Sequence, residues 1–121
     1  CVTLSTLNIY YLPEILDVYY RDFSDLGLYL NLVHGPQHYN ISIMPEDVKS
    51  VVVSRLENIN KSYQSAWSYL PGIIGFMKNG TYDKIQWNNL KEIIRRHDTY
   101  RKEDYYTTFK EFGDLINGVL E

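Results

Sequence analysis

Side-chain alternation sets the first element of this chain. Val2 to Tyr11 is rich in β-branched and aromatic residues and holds neither Gly nor Pro, so it is expected to form a strand. With a period of two, Leu7, Ile9 and Tyr11 take one face, and Thr6, Asn8 and Tyr10 the other. The period then changes. After Pro13, a residue suited to a first helical turn, Ile15, Leu16, Tyr19, Tyr20 and Phe23 recur at helical spacing and make one apolar stripe. Ser24 to Gly27 ends that helix, with Gly27 as a candidate C′ residue. Leu28 to His34 returns to period two, with Leu28, Leu30 and Leu32 facing one way and Tyr29, Asn31 and Val33 the other. Strand, helix and strand in a short stretch make a βαβ unit, which predicts parallel strands and a right-handed crossover.

From there the pattern turns helical. Gly35 to Asn40 reads as a loop leaving the second strand. Pro45-Glu46-Asp47 opens a helix, with proline and acids in the turn where unpaired amides and the dipole favour them. Its stripe is Val48, Val51, Val52, Arg55, Leu56 and Ile59. Tyr63 to Leu70 and Ile73 to Met77 are expected as two helices, parted by Pro71-Gly72 and closed by Asn79-Gly80. Asp83 to His97 carries Trp87, Leu90, Ile93 and Ile94, and a last helix uses Tyr105, Phe109, Phe112, Leu115, Ile116 and Val119. The fold class is α/β: one βαβ unit over residues 1–44, followed by a mostly α-helical C-terminal extension over residues 45–121, packed as one domain. Two strands alone leave two unsatisfied sheet edges. More strands are expected from a second copy, most simply in a two-fold dimer, or from a missing N-terminal portion of a longer protein.

Composition refines this picture. The length of 121 residues and the hydrophobic share of 45% suit one globular domain. Twelve residues are Tyr, whose ring packs while its hydroxyl needs a partner, so many should sit at core edges or in surfaces made to be covered. A net charge of -3 gives no general basic field for nucleic acid. The single Cys1 forms no intrachain disulfide, zinc site or iron–sulfur cluster by itself. Cysteine usage fits a reducing compartment, and no signal peptide or apolar run of roughly 18–20 residues is visible, so a cytoplasmic location without membrane insertion is expected. Three N-x-S/T tripeptides start at Asn40, Asn60 and Asn79; they would matter in a secreted protein. The chain opens on Cys1-Val2-Thr3-Leu4, in the middle of a strand-like run without an initiator Met, which suggests a fragment.

Candidate chemistry is sparse. Asn8 and Asn31, with Tyr10 and Tyr29 beside them, lie in the later halves of their strands, where parallel β/α structures gather function. They are read as a polar pair lining a cleft, or as polar residues satisfied by backbone and water. His34 and His38 are four apart, a metal spacing on a helix, but Gly35 and Pro36 intervene; a ligand-touching loop or a surface role is the alternative. Arg95, Arg96, His97, Arg101 and Lys102 form a basic cluster, read as a phosphate or carboxylate clamp, a solvated helix junction with local ion pairs, or a nucleic-acid contact. No metal site, Gly-rich phosphate loop or nucleophile elbow is recognised, and no complete active site.

The segments Asn8-Ile9-Tyr10-Tyr11, Leu30-Asn31-Leu32-Val33-His34-Gly35-Pro36, Tyr39-Asn40-Ile41 and Met44-Pro45-Glu46-Asp47-Val48-Lys49 follow one another in a telling order. So do Asp98-x-x-Arg101, Tyr105-Tyr106, Phe109 and Glu111. This resembles the C-terminal part of twitch-type radical S-adenosylmethionine proteins of phages and marine microbes. The resemblance implies late strands of a partial β/α barrel plus a C-terminal extension that closes the substrate side and is not catalytic alone. In the full-length protein a C-x3-C-x2-C motif would hold a 4Fe–4S cluster that binds S-adenosylmethionine; this chain lacks that motif. It also implies that Asn8, Asn31 and the loop holding His34, His38, Tyr39 and Asn40 face cofactor or a small-molecule or peptide substrate. The other reading of the same residues is a stand-alone interaction module that dimerises through its sheet edge or tyrosine-rich surface, with no enzymatic activity.

Overall fold

The computed structural model describes residues 2–102 and 104–116. Two short strands, β1 (Val2–Leu4) and β2 (Leu30–Leu32), pair in parallel with Val2 opposite Leu30 and Leu4 opposite Leu32. Helix α1 (Leu12–Asp22) connects them, with Pro13 in its first turn. Helices α2 (Glu46–Glu57), α3 (Gln64–Asn79), α4 (Lys84–Arg101), α5 (Tyr105–Thr108) and α6 (Lys110–Ile116) follow. The fold is therefore mixed α/β, a parallel pair with a helical extension. Alternation in β2 holds: Leu30 is buried, whereas Tyr29 and Asn31 are exposed. Among the described residues, no helix is long and apolar enough to cross a membrane.

One core joins both parts of the chain. Leu4 and Leu30 of the sheet and Leu12 and Leu16 of α1 pack in a single cluster with Val52 and Leu56 of α2, Leu70 and Met77 of α3, Leu90 of α4 and Phe112 of α6. Tyrosines take the core edge, where each can bury a ring and still satisfy its hydroxyl. Tyr20 and Tyr63 stack at 4.0 Å; the Tyr63 hydroxyl donates to Asp17 (2.9 Å), and that of Tyr69 to the Leu28 carbonyl (3.1 Å).

Five local expectations are corrected. The first strand stops at Leu4 instead of running to Tyr11; the chain turns at Ser5–Asn8 and continues as a 3-10 turn over Ile9–Tyr11. Helix α1 closes at Phe23, whose N–H donates to the Tyr19 carbonyl, so Gly27 is not its cap; a Cβ there would meet the Tyr29 ring at 3.1 Å. Pro71 does not break the chain into two helices. It sits exposed inside α3, while Ala66, Leu70, Ile73 and Met77 form one buried stripe across it, and that packing outweighs the roughly 3 kcal/mol cost of an internal proline. The final helical region divides into α5 and α6 at Phe109, and Val119 lies outside the described residues. In α2, Val51 faces solvent, and Val53 and Lys49 are buried in its place.

Lys49 explains how α2 meets the α3–α4 connection. Its ammonium donates to the Gly80 carbonyl at 2.8 Å and lies 3.6 Å from Glu46, so a buried charge is partnered. Gly80 is pressed against Ser42: a Cβ there would stand 2.3 Å from the Ser42 Cβ and 2.6 Å from its carbonyl oxygen. Gly72, exposed within α3, has no heavy atom within 4 Å of the same position. Gly80→Ala is expected to destabilise the chain by about 1–3 kcal/mol through overpacking, and Gly72→Ala to stabilise it by about 0.5–1 kcal/mol. Urea denaturation of both variants checks this; equal shifts would contradict the packing described.

Candidate functional site

The strand ends, where parallel β/α structures usually place a ligand, are stitched shut. Thr6, fully buried, donates its N–H to the Tyr39 carbonyl (3.0 Å) and its hydroxyl to the His38 carbonyl (2.9 Å). The two loops leaving β1 and β2 are thus tied together, and α4 packs against the turn at Gln37–Tyr39.

Asn8 makes the decisive local contact. Its side-chain oxygen accepts the Ser5 N–H at 2.8 Å, and its amide donates to the Thr3 carbonyl at 2.9 Å. Register and flanking bonds, Val2 N–H to Tyr29 and Val33 N–H to Leu4, turn the main-chain groups of Val2 and Leu4 toward β2. Those of Thr3 and Ser5 therefore point to the outer edge of β1. The Asn8 amide occupies that edge as the peptide unit of a neighbouring strand would. Asn8 and Asn31 consequently do not form a polar pair: Asn8 lies along the outer edge of β1, while Asn31 stands on β2, exposed on the sheet face it shares with Thr3 and Tyr29.

The other edge differs. By the same register, the main-chain groups of Tyr29, Asn31 and Val33 face β1, and those of Leu28, Leu30, Leu32 and His34 face outward. Tyr69 caps the Leu28 carbonyl (3.1 Å), and the Asn40 amide reaches the His34 carbonyl (3.4 Å). Between these caps, the outward N–H and C=O groups of Leu30 and Leu32 have no hydrogen-bond partner among the described residues.

The remaining candidates divide clearly. Tyr10 is buried instead of cleft-facing: the Arg55 guanidinium lies over its ring at 4.2 Å, the Arg55 Nε donates to its carbonyl at 2.9 Å, and its hydroxyl donates to Glu111 at 3.3 Å. Asn40 is buried as a turn residue, its oxygen accepting the Ser42 N–H (2.9 Å) and hydroxyl (2.7 Å). Tyr39 is half-buried against the core. The exposed His34 meets the edge of Phe76 and the half-buried His38 that of Tyr39. Among the described residues, no group of three or more His, Cys, Asp or Glu side chains could hold a metal ion.

The basic cluster does not converge. Arg95 and Arg96 both bind Glu92, Arg96 at 3.1 Å. The hydrogen bond from Arg95 does most to hold the Glu92 carboxyl down to about 2; burial opposes it, and the hydrogen bond from Arg96 adds to it. Both guanidiniums are thus engaged within their own helix, as i,i+3 and i,i+4 spacing allows. Arg101 instead lines a cleft of about 540 Å³ between the end of α4 and α5, floored by Leu7, Ile94, Tyr105 and Phe109. Asp98 anchors α5 beside it, accepting the Tyr105 N–H at 3.0 Å. Residues that sequence reasoning missed are Thr6, Lys49 and Arg55; each acts on a carbonyl distant in sequence, which leaves no local pattern.

Around Tyr10, aromatic rings bind the chain's two ends. Tyr10 meets Phe112 at 5.4 Å, Tyr11 meets Phe109 at 5.4 Å, and the Phe112 N–H donates to the Tyr11 hydroxyl at 3.2 Å. Burial pushes the Tyr10 phenol up, against the pull of Arg55 and with the aid of Glu111; burial also pushes Tyr11 up. A raised folded value favours the neutral phenol in the native state. The resulting stability is present below the ordinary tyrosine value of about 10 and is lost as pH rises through the folded values. Denaturation midpoints should therefore fall between pH 8 and pH 11, and less steeply in the Tyr10→Phe/Tyr11→Phe double variant; equal slopes would contradict this. In comparisons with known proteins, no family model, no curated protein and no solved structure matches the chain.

Proposed function

We propose that this chain is a non-catalytic α/β interaction module that completes its sheet by taking a partner strand on the open edge of β2. One observation carries this reading: on the outer edge of β1 the Asn8 amide takes the Thr3 carbonyl and the Ser5 N–H, leaving the Thr3 N–H, while on the edge of β2 Leu30 and Leu32 present two unpaired main-chain donors and two acceptors. Backbone groups of this kind give affinity in strand addition, and neighbouring side chains give selectivity. The polar candidates Asn8, Tyr10 and Asn40 are engaged in holding backbone and core, which favours a binding role over chemistry.

A second reading is supported by the parallel pairing across α1. In it, the chain is the C-terminal part of a radical S-adenosylmethionine enzyme, and the face bearing Thr3, Tyr29 and Asn31 looks into a partial barrel. With Cys1 as its only cysteine, the chain does not fit a 4Fe–4S cluster, so cluster and S-adenosylmethionine would both belong to a preceding portion. An upstream open frame encoding C-x3-C-x2-C is the expected result for this reading; a stop codon directly before the Cys1 codon would exclude it.

Amide hydrogen exchange on dilute, monomeric chain tests the first reading. Asn31 and Val33 amides, which face β1, should be protected, and those of Leu30 and Leu32 should exchange freely. Protection of Leu30 and Leu32 in the monomer would mean that the chain covers its own edge, and would overturn the proposal.

A further inference from the structure

We infer that the strand added to β2 is β2 of a second copy, paired antiparallel about a two-fold axis at Asn31; this rests on the open-edge reading above. A two-fold axis perpendicular to the sheet relates two β2 strands in opposite directions, so each copy offers the same patch to the other. With Asn31 on the axis, Leu30 stands opposite Leu32 of the second copy. Leu30 and Leu32 are the residues whose N–H and C=O groups point outward. Each Leu30–Leu32 pair then exchanges both of its bonds, as a hydrogen-bonded antiparallel pair does. The caps supplied by Tyr69 and Asn40 end the ladder on either side, so its length matches the gap.

Side chains favour the same occupant. Leu28 to Val33 carries no charge, so two copies of a chain with net charge -3 meet here without like charges in opposition. Natural edge strands are commonly guarded by Lys, Pro or a bulge, and this one has none of them. Tyr29, 63% exposed, falls opposite Val33 of the second copy, an aromatic–β-branched pair of the kind that stabilises sheets. The two parallel pairs become one four-stranded sheet whose central strands are the two copies of β2. Its outer edges are the copies of β1, where Asn8 takes the Thr3 carbonyl and the Ser5 N–H and leaves the Thr3 N–H, too little for a further ladder, so assembly stops at two.

The test uses the full chain as Cys1→Ser/Asn31→Cys. In a non-hydrogen-bonded antiparallel pair, opposed Cβ atoms lie about 4.5–5.5 Å apart, close to disulfide span. Mild oxidation is expected to double the mass on a non-reducing gel, while Cys1→Ser/Thr3→Cys, on the same face but off the axis, stays single. Sedimentation of the unmodified chain should show a dimer that dissociates on dilution. Leu32→Pro removes an outward N–H without touching the internal ladder, and should raise the dissociation constant at least about tenfold over Leu32→Ala, which loses similar packing. A chain that stays monomeric at high concentration, or equal effects of Leu32→Pro and Leu32→Ala, would overturn the inference. If the Leu30 and Leu32 amides still exchange freely in that monomer, the second copy is wrong and the open edge stands; if they are protected, the open edge itself is wrong.

Discussion

The side-chain amide of Asn8 is the contact on which the architecture turns. By binding the Thr3 carbonyl and the Ser5 N–H, it ends β1 after three residues, reverses the chain and fills the place of a neighbouring strand. Everything after it depends on that reversal. Ile9–Tyr11 becomes a 3-10 turn instead of more sheet, which delivers Tyr10 to Arg55 of α2 and Tyr11 to the N–H of Phe112 in α6. A strand continuing to Tyr11 would carry both rings away along the sheet. The beginning and end of the chain therefore share one core because a polar side chain interrupts a β-prone run.

The same contact makes the sheet asymmetric. An unpaired edge exposes donors and acceptors that readily recruit another strand, and this chain fills most of one edge from within through Asn8 while leaving the other to be met from outside. Hydrogen-bonding side chains elsewhere are used in the same way. Thr6 ties the two strand-end loops, Asn40 holds its own turn, and Lys49 anchors the connection at Gly80. The polar side chains near the strand ends thus hold structure, and among the described residues of the sheet most of the unpartnered main-chain groups are those of Leu30 and Leu32 in β2. Recognition by backbone at an edge follows more directly from this distribution than catalysis at a cleft.

Much of the fold was legible from period alone. The alternation around β2 and the Pro45-Glu46-Asp47 start of α2 are set by local pattern and form where expected, although β2 is only Leu30–Leu32. The stripe of α1 forms in part, since Leu16 and Tyr20 reach the core together with Leu12, whereas Phe23 lies past the helix and is exposed. The end of β1 was not legible, because Leu7, Ile9 and Tyr11 alternate as well as a true strand would; what decides is a side-chain bond from Asn8 back to Ser5 and Thr3. Pro71 misled for the opposite reason: a strong local breaker is overridden by a buried stripe on the far side of its helix. Among the site residues, Asn31 stands on the exposed face that alternation gave it. The engagement of Arg95 and Arg96 with Glu92 was readable from spacing, whereas the burial of Tyr10 under Arg55 depends on contacts 45 residues apart and leaves no trace in sequence.

The most direct measurement of the role of Asn8 is Ser5 amide exchange in the chain and in its Asn8→Ala variant, read together with their masses in solution. A protected Ser5 amide that becomes labile in the variant is expected, with assemblies larger than a dimer as the second edge opens. Unchanged Ser5 exchange and unchanged mass in Asn8→Ala would contradict the claim that this one amide finishes the sheet.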